Sequence, residues 1–139
     1  LPFAGVELVV VGDEVGSASA VKMSTASVYK GTSALLAQAL LAAHANGVLE
    51  HVLADLRAAA PHLVSNVERR VAVAASKSGR FVGEMREIAA TQNAAGLTPA
   101  LFDGIAEVYT QMADTPLARA DPEDVGERPA LTDVLDELR

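Results

Sequence analysis

One stretch of the chain limits what it can fold into more than any other. Residues 17–47 contain no proline, only one glycine before Gly47, and many alanines, the strongest helix formers. Asn46 and Gly47 form a typical helix stop. A helix of about thirty residues is about 45 Å long, which is long for a chain of 139 residues. The sequence therefore predicts an all-α fold built around one long helix.

Local signals predict four further helices. Ser65 and Glu68 lie three residues apart, as in a capping box at a helix start. Ser78–Gly79 is expected to bend this same helix, which begins near Ser65. Thr98 is expected to cap the next one. The four predicted helices cover residues 49–60, 65–95, 98–113 and 131–138.

Residues 6–11 (Val-Glu-Leu-Val-Val-Val) form a short β-branched run between Gly5 and Gly12, which predicts a strand. A single strand needs neighbours, so its partners are expected in an upstream domain. We accordingly predict three parts. Residues 1–15 are the last strand and turn of that upstream domain, and residues 16–113 are a helical domain. Residues 114–139 are an acidic, solvated linker and a short terminal helix, with Thr132, Asp133 and Glu137 facing outward.

Charge and composition exclude several classes of function. The 11 Lys and Arg residues against 18 Asp and Glu give a net charge of −7, whereas binders of nucleic acid or anionic membranes are usually basic. Without cysteine there is no thiol nucleophile or thiolate metal site. The three histidines lack neighbours at ligand spacing, so no metal is predicted. No leader and no run of eighteen apolar residues is found, so a cytoplasmic protein is expected.

The first half of the long helix has one polar side, which we call the polar wedge. At 3.6 residues per turn its members lie within about 80° of Lys22. They are mostly hydroxyls with two lysines and no acid, whereas solvated faces usually mix both charges. A cation in the first turns also opposes the helix dipole. A hydrated face remains the alternative to a functional one. The wedge consists of Ser19, Lys22, Thr25, Tyr29, Lys30, Thr32 and Ser33.

The second half of this helix is apolar on nearly every side. Leu35, Leu36, Leu40 and Leu41 are distributed around it, with alanines between them. A helix that is apolar all round must be covered all round, and a small domain has few helices to do so. This pattern predicts a partner subunit, most simply in a two-fold homodimer.

A loose group of cations follows along the predicted helix 65–95. Two interpretations stay open: a solvated face, or a surface that approaches an anionic substrate or a cofactor phosphate. Glu84, near the end of this group, is interpreted as a surface charge. The cations are Arg69, Arg70, Lys77 and Arg80.

Three segments carry a resemblance to a known family. They are residues 12–23, which lead from a glycine turn to Lys22-Met23, then Lys30-Gly31-Thr32, and residues 80–91. The chain resembles the C-terminal helical domain of the 6-phosphogluconate dehydrogenase and 3-hydroxyisobutyrate dehydrogenase superfamily. Within it, the chain looks like the phosphogluconate-dehydrogenase-like, NAD(P)-binding oxidoreductases. The resemblance extends from Val6 to Tyr109.

The resemblance implies an enzyme that transfers hydride between a nicotinamide cofactor and a small, anionic, hydroxy-acid-like substrate. NAD or NADP would be bound mainly by an upstream Rossmann domain, without which this chain would be inactive. Lys22 would be the catalytic acid/base and Tyr29 a second proton-transfer group. Ser19, Lys30 and Ser33 would bind substrate. The family also implies a homodimer through the helical domain.

The chain departs from the family pattern at three places. Ala26 stands where an asparagine is common, and Tyr29 where the sugar-phosphate enzymes carry a glutamate. Gly83-Glu84 replaces a Lys-Asp pair that is common in the hydroxyacid dehydrogenases. Because of these departures, phosphogluconate is not expected as substrate. Two alternatives remain: an imine reductase of the same architecture, and a non-catalytic helical dimerisation module.

Overall fold

The computed structural model describes residues 5, 7–121, 123–124 and 130–139. Its regular structure is helical, which confirms the predicted all-α fold. The described residues contain seven α-helices and one 3-10 helix. These are α1 (Ser17–Ala45), α2 (Leu49–Ala59), α3 (Pro61–Val64), α4 (Val67–Ser76), α5 (Ser78–Ala94), α6 (Ala100–Ala113), the 3-10 helix (Pro116–Arg119) and α7 (Leu131–Glu137).

Helix α1 is the central element, and its 29 residues confirm the predicted long helix. It ends as predicted: the Asn46 side chain donates a hydrogen bond to the Ala42 carbonyl at 2.7 Å, and Gly47 adopts a φ of 70°. The first turns are exposed, whereas the second half contacts α2, α4 and α7. The helix therefore has an unpacked end and a packed end.

The apolar half of α1 is covered largely within one chain. Leu36 and Leu40 are buried and Leu41 is half-buried, whereas Leu35 remains 68% exposed. Neighbouring helices of the same chain therefore enclose Leu36 and Leu40, and the apolar surface left for a partner to cover is that of Leu35. The homodimer itself stays a prediction.

The predicted helix 65–95 is two helices, separated at Lys77. Ser78, fully buried at the start of α5, donates a hydrogen bond from its hydroxyl to the Ala75 carbonyl at 2.6 Å. The predicted capping box does not form: Ser65 ends the short helix α3, and Asn66, at a φ of 52°, precedes α4. Helix α4 begins at Val67 with Asn66 as its N-cap residue, one position after the Ser65 cap that the sequence predicted.

Helices α5 and α6 form the most extensive helix pair. Because only residues 95–99 connect them, they run antiparallel. Met85, Ile88 and Tyr109 are fully buried in this pair or against α1 and α4. Each such side chain contributes about 1.5–3 kcal/mol by leaving water, so this pair forms a large part of the core.

The C-terminal part is packed rather than solvated. Leu117 in the 3-10 helix and Val134 and Leu135 in α7 are fully buried. His44 of α1 contacts Asp136 of α7 at 2.8 Å. The prediction of a solvated linker is therefore wrong around Leu117, because apolar side chains there complete the core beside α4. Thr132 and Asp133 are exposed as predicted, whereas Glu137 is half-buried. Residues 122 and 125–129 of the predicted linker lie outside the described residues.

Residues 7–11 form no strand, so the strand prediction is wrong for this part of the chain; Val6 lies outside the described residues. A strand requires ladder hydrogen bonds, and no described segment lies alongside to supply them. The side chains of Leu8, Val9 and Val10 are exposed. The three-part domain division remains a prediction.

Within the described ranges, no helix is both long enough and apolar enough to cross a membrane. The same residues contain no group of three or more His, Cys, Asp or Glu side chains arranged to hold a metal ion.

Candidate functional site

A pocket of about 490 Å³ opens between α1, α4 and the start of α5. Its walls come from three helices and from the turn before α4, so residues distant in sequence meet there. The lining residues are Tyr29, Lys30, Ser33, Ser65, Asn66, Arg69, Arg70, Val73, Ala74, Lys77 and Phe81.

Helix α1 contributes part of the predicted polar wedge. At 3.6 residues per turn, Tyr29, Lys30 and Ser33 lie within about 100° of one another around α1, and all three line the pocket. The Ser33 hydroxyl donates a hydrogen bond to the Tyr29 carbonyl at 3.0 Å. Tyr29 is 71% exposed, which leaves its phenol accessible at the pocket mouth.

Helix α4 and Lys77, the residue that directly follows it, supply most of the positive charge. Arg69, Val73 and Lys77 are spaced by four residues, so they form one stripe that faces the pocket. Arg70 is anchored, because its guanidinium donates a hydrogen bond to the Leu63 carbonyl at 3.0 Å. With Lys30 the lining has four cations and no carboxylate, although the chain has a net charge of −7. Such a concentration of positive charge fits an anionic ligand.

Lys30 is held in place from several sides. Its ammonium donates a hydrogen bond to Glu84 Oε2 and lies 4.6 Å from the centre of the Phe81 ring. The Tyr109 hydroxyl donates a hydrogen bond to the Lys30 carbonyl at 2.6 Å. The rings of Phe81 and Tyr109 meet edge to face, with centroids 5.2 Å apart. Lys30 is therefore the most constrained cation of the pocket.

These surroundings also change proton affinities. Burial lowers the pKa of Lys30 below its ordinary value, and the nearby charges of Arg80, Lys22 and Lys77 lower it further. Burial raises the pKa of Tyr109 above its usual range. An anion bound in the pocket would oppose the first effect by favouring the charged ammonium.

The structure brings together three of the five residues predicted for the site. Lys22 and Ser19 do not line the pocket and are exposed on the first turns of α1. Lys22 precedes Tyr29 by seven residues, about 10 Å along the helix axis. Its roles and those of the other four residues stay predictions.

Sequence reasoning missed the supports of Lys30. Glu84 was interpreted as a surface charge, yet it contacts a lysine 54 positions earlier in the chain. Apart from their apolar or aromatic character, Phe81 and Tyr109 had no sequence feature that predicts a contact with Lys30 or with each other. Of the predicted group of cations, Arg69, Arg70 and Lys77 line the pocket and Arg80 does not, while both interpretations of the group, a solvated face or an approach to an anion, stay predictions.

A second cavity, of about 720 Å³, lies between α1 and α6, and Thr32 at the edge of the polar wedge is among its lining residues. It is mainly apolar, and Val28, Leu35 and Leu101 along it are each more than 60% exposed. We call it the α1–α6 groove. Gly31 lies in it, and an added Cβ there would be 3.4 Å from Ile105 Cδ1.

Comparison with known proteins gives one family. A family model described as "Domain of unknown function (DUF1932)" matches residues 43–112, half of the chain. The matched segment runs from the end of α1 nearly to the end of α6 and so includes the α4 wall of the pocket. No significant match was found among curated proteins or among solved structures. The chain therefore belongs to the DUF1932 family, a domain found in the C-terminal region of NAD(P)-binding 3-hydroxyisobutyrate dehydrogenase-like proteins.

Proposed function

We propose that this chain is the substrate-binding and dimerisation domain of an NAD(P)-dependent oxidoreductase that acts on a small anionic hydroxy acid. The proposal places it in the phosphogluconate-dehydrogenase-like branch of the superfamily. One observation carries it: the side of α1 with the polar wedge opens onto a pocket lined by four cations and no carboxylate. Membership of a dehydrogenase-associated family supports the same reading.

The described residues do not form a complete site for the cofactor. The sequence has no Gly-x-Gly-x-x-Gly turn, the usual seat of a dinucleotide pyrophosphate. NAD or NADP would therefore be bound mainly by another domain, and this chain would supply at most part of the contacts. When bound, the nicotinamide accepts the hydride that leaves the substrate carbon.

Proton transfer is the step assigned to this chain. In oxidation the neutral Lys22 amine would accept the hydroxyl proton as the carbonyl forms, and in reduction the ammonium would return it. Tyr29 lies on the same side of α1, seven residues away, and is the second proton-transfer candidate. Lys30 and Ser33 would orient the anionic group of the substrate within the pocket.

The α1–α6 groove supports the dimerisation part of the proposal. Leu35 and Leu101 expose large apolar side chains next to one another along it. Contiguous apolar patches are rarely left exposed on monomers. A second copy of the chain, related by a two-fold axis, would cover both residues. The same groove favours the second candidate function, a helical dimerisation module without catalysis.

Replacement of Lys22 separates these functions. In the oxidoreductase that contains this domain, Lys22→Met is expected to lower kcat by about 10²–10⁴-fold, the usual contribution of general acid–base catalysis. Steady-state kinetics would measure the loss. Arg57→Met, which removes an exposed cation from α2, is the matched control and should leave kcat unchanged. A Lys22→Met enzyme within threefold of wild type would remove Lys22 from the mechanism and favour the dimerisation module.

A further inference from the structure

Glu84 differs from the other acids in the described part of the chain because it contacts two cations, Lys30 and Arg80, at once. Its Oε2 accepts a hydrogen bond from the Lys30 ammonium, and its Oε1 lies 3.3 Å from Arg80 Nε. It is partly buried on α5, behind Lys30 as seen from the pocket, and does not itself line the cavity. Among the described residues, Glu84 is the carboxylate that pairs with these cations.

We propose that Glu84 is an internal competitor for the anion that the pocket binds, and that it weakens the pocket's preference for doubly charged ligands. The inference rests on the proposed function, in which this pocket receives the anionic group of the substrate.

Lys30 is shared between the pocket and Glu84. Its ammonium lines the pocket and is bound to Glu84 at the same time. An entering anion must share this ammonium with a carboxylate that repels it. Without a ligand, the same carboxylate offsets the mutual repulsion of Lys30, Arg80 and Lys77. Glu84 therefore stabilises the empty pocket and opposes its filling.

The opposition depends on ligand charge. Electrostatic energy scales with the charge of the ligand, so the repulsion by one carboxylate is twice as large for a dianion as for a monoanion. Glu84 therefore reduces the advantage that a cluster of cations gives to dianions. A residue with only a structural role would have no such dependence on ligand charge.

The test uses two probe anions, acetate and sulfate, titrated separately into the chain at constant ionic strength and neutral pH. Amide chemical shifts of Ser33 and Val73 in NMR spectra report binding in the pocket. A partly exposed charge pair affects affinity by up to about fivefold. Glu84→Gln should thus tighten acetate binding by about fivefold and sulfate binding by the square of that factor, about 25-fold.

Glu87→Gln is the matched control. Glu87 is exposed on α5, three residues further on, and its replacement changes the net charge by the same amount. It should alter neither affinity by more than about twofold. In case Glu84→Gln does not fold, the pair Lys30→Gln and Lys30→Gln/Glu84→Gln tests the same effect. The double variant should bind sulfate more tightly than Lys30→Gln alone.

The two proposals fail differently. If wild type binds sulfate and Glu84→Gln binds both probes no more tightly, the role of Glu84 is overturned while the anion pocket stands. An equal gain for acetate and sulfate also overturns it. If neither probe shifts the pocket amides in any variant, the anion pocket of the proposed function fails as well.

Discussion

Lys22 and Lys30 show how two lysines on one side of a helix come to differ. Both belong to the polar wedge, but Lys22 is exposed whereas Lys30 lies under Phe81 and against Glu84. Helical periodicity places side chains around an axis, and it does not say where along that axis the neighbouring helices begin. The contrast between the two lysines therefore arises from tertiary packing, not from their local sequence.

Tyr109 leads to a prediction on pH dependence. Below about pH 10 its phenol is protonated in both the folded and the unfolded state, so it does not make the free energy of unfolding depend on pH. Above about pH 10 the unfolded state loses the proton, while burial keeps it on the folded state. The free energy of unfolding should then fall with rising pH, by up to about 1.4 kcal/mol per unit. Tyr109→Phe should remove this slope.

Urea denaturation of wild type and Tyr109→Phe between pH 8 and 11 measures the effect. The lowered pKa of Lys30 acts in the opposite direction, because the unfolded state binds the extra proton below about pH 10.5. Lys30 is present in both proteins, so the difference between them isolates Tyr109. The variant should be less stable at pH 8 by about 0.5–1.5 kcal/mol, since it lacks the hydrogen bond to the Lys30 carbonyl. Parallel pH curves for the two proteins would contradict the prediction.

At the scale of elements, Gly31 sets how closely α1 and α6 approach. A Cβ at this position would lie 3.4 Å from Ile105 Cδ1 and 3.9 Å from Phe102 Cε1, which is ordinary van der Waals contact. Gly31→Ala should raise the free energy of unfolding by about 0.5–1 kcal/mol, because alanine favours the helix. Gly31→Leu should lower it by about 1–3 kcal/mol, because the larger side chain forces the helices apart.

Gly83 is the control position for this prediction, and the same two substitutions are made there. It lies in the interior of α5, and beyond its chain neighbours and the adjacent helix backbone no atom lies within 4 Å of where its Cβ would be. Thermal unfolding should show stabilisation for both Gly83→Ala and Gly83→Leu. If Gly31→Leu is stabilised like Gly83→Leu, then Gly31 does not control the α1–α6 distance.

The elements also show what the sequence could predict. Helix α1 follows from local signals, namely alanine content, the absence of proline and the Asn46–Gly47 stop, so its bounds were predicted within two residues. The separation of α4 from α5 at Lys77 was expected only as a bend at Ser78–Gly79, because the buried Ser78 hydroxyl gave no sign in sequence. Three of the eleven residues that line the pocket followed from helical spacing on α1. The contact between Lys30 and Glu84 could not be predicted from the sequence, since it depends on how α1 and α5 pack.

At the scale of the whole molecule, the α1–α6 groove tests the proposed homodimer. Leu35 is 68% exposed and Leu101 is 63% exposed in the single chain, so a charge at either site does not disturb the chain's own core. Leu35→Glu should convert a wild-type dimer into a monomer with an unchanged far-ultraviolet circular dichroism spectrum. Sedimentation velocity at micromolar concentration would measure the change. Leu40 is fully buried and is unsuitable, because Leu40→Glu would disrupt the core whether or not a dimer forms.

Leu97→Glu is the control for this experiment. Leu97 is 58% exposed between α5 and α6 and does not line the groove. It should leave the dimer intact. A wild-type chain that sediments as a folded monomer would refute the dimer, and a Leu35→Glu variant that stays dimeric would place the interface elsewhere.

The unpacked start of α1 has a thermodynamic consequence. Residues 18–22 are exposed on every side, so their helical state depends on their own hydrogen bonds, and such short ends open and close readily. Lys22 is thus carried by a segment with a low free energy of local unfolding. The binding free energy of a surface that covers these turns must offset the conformational entropy that they lose on ordering. Covering this end of α1 therefore also fixes the position of the Lys22 amine. Because the covering surface must order these turns as it binds, its affinity is lower than it would be for a helix start that is already ordered.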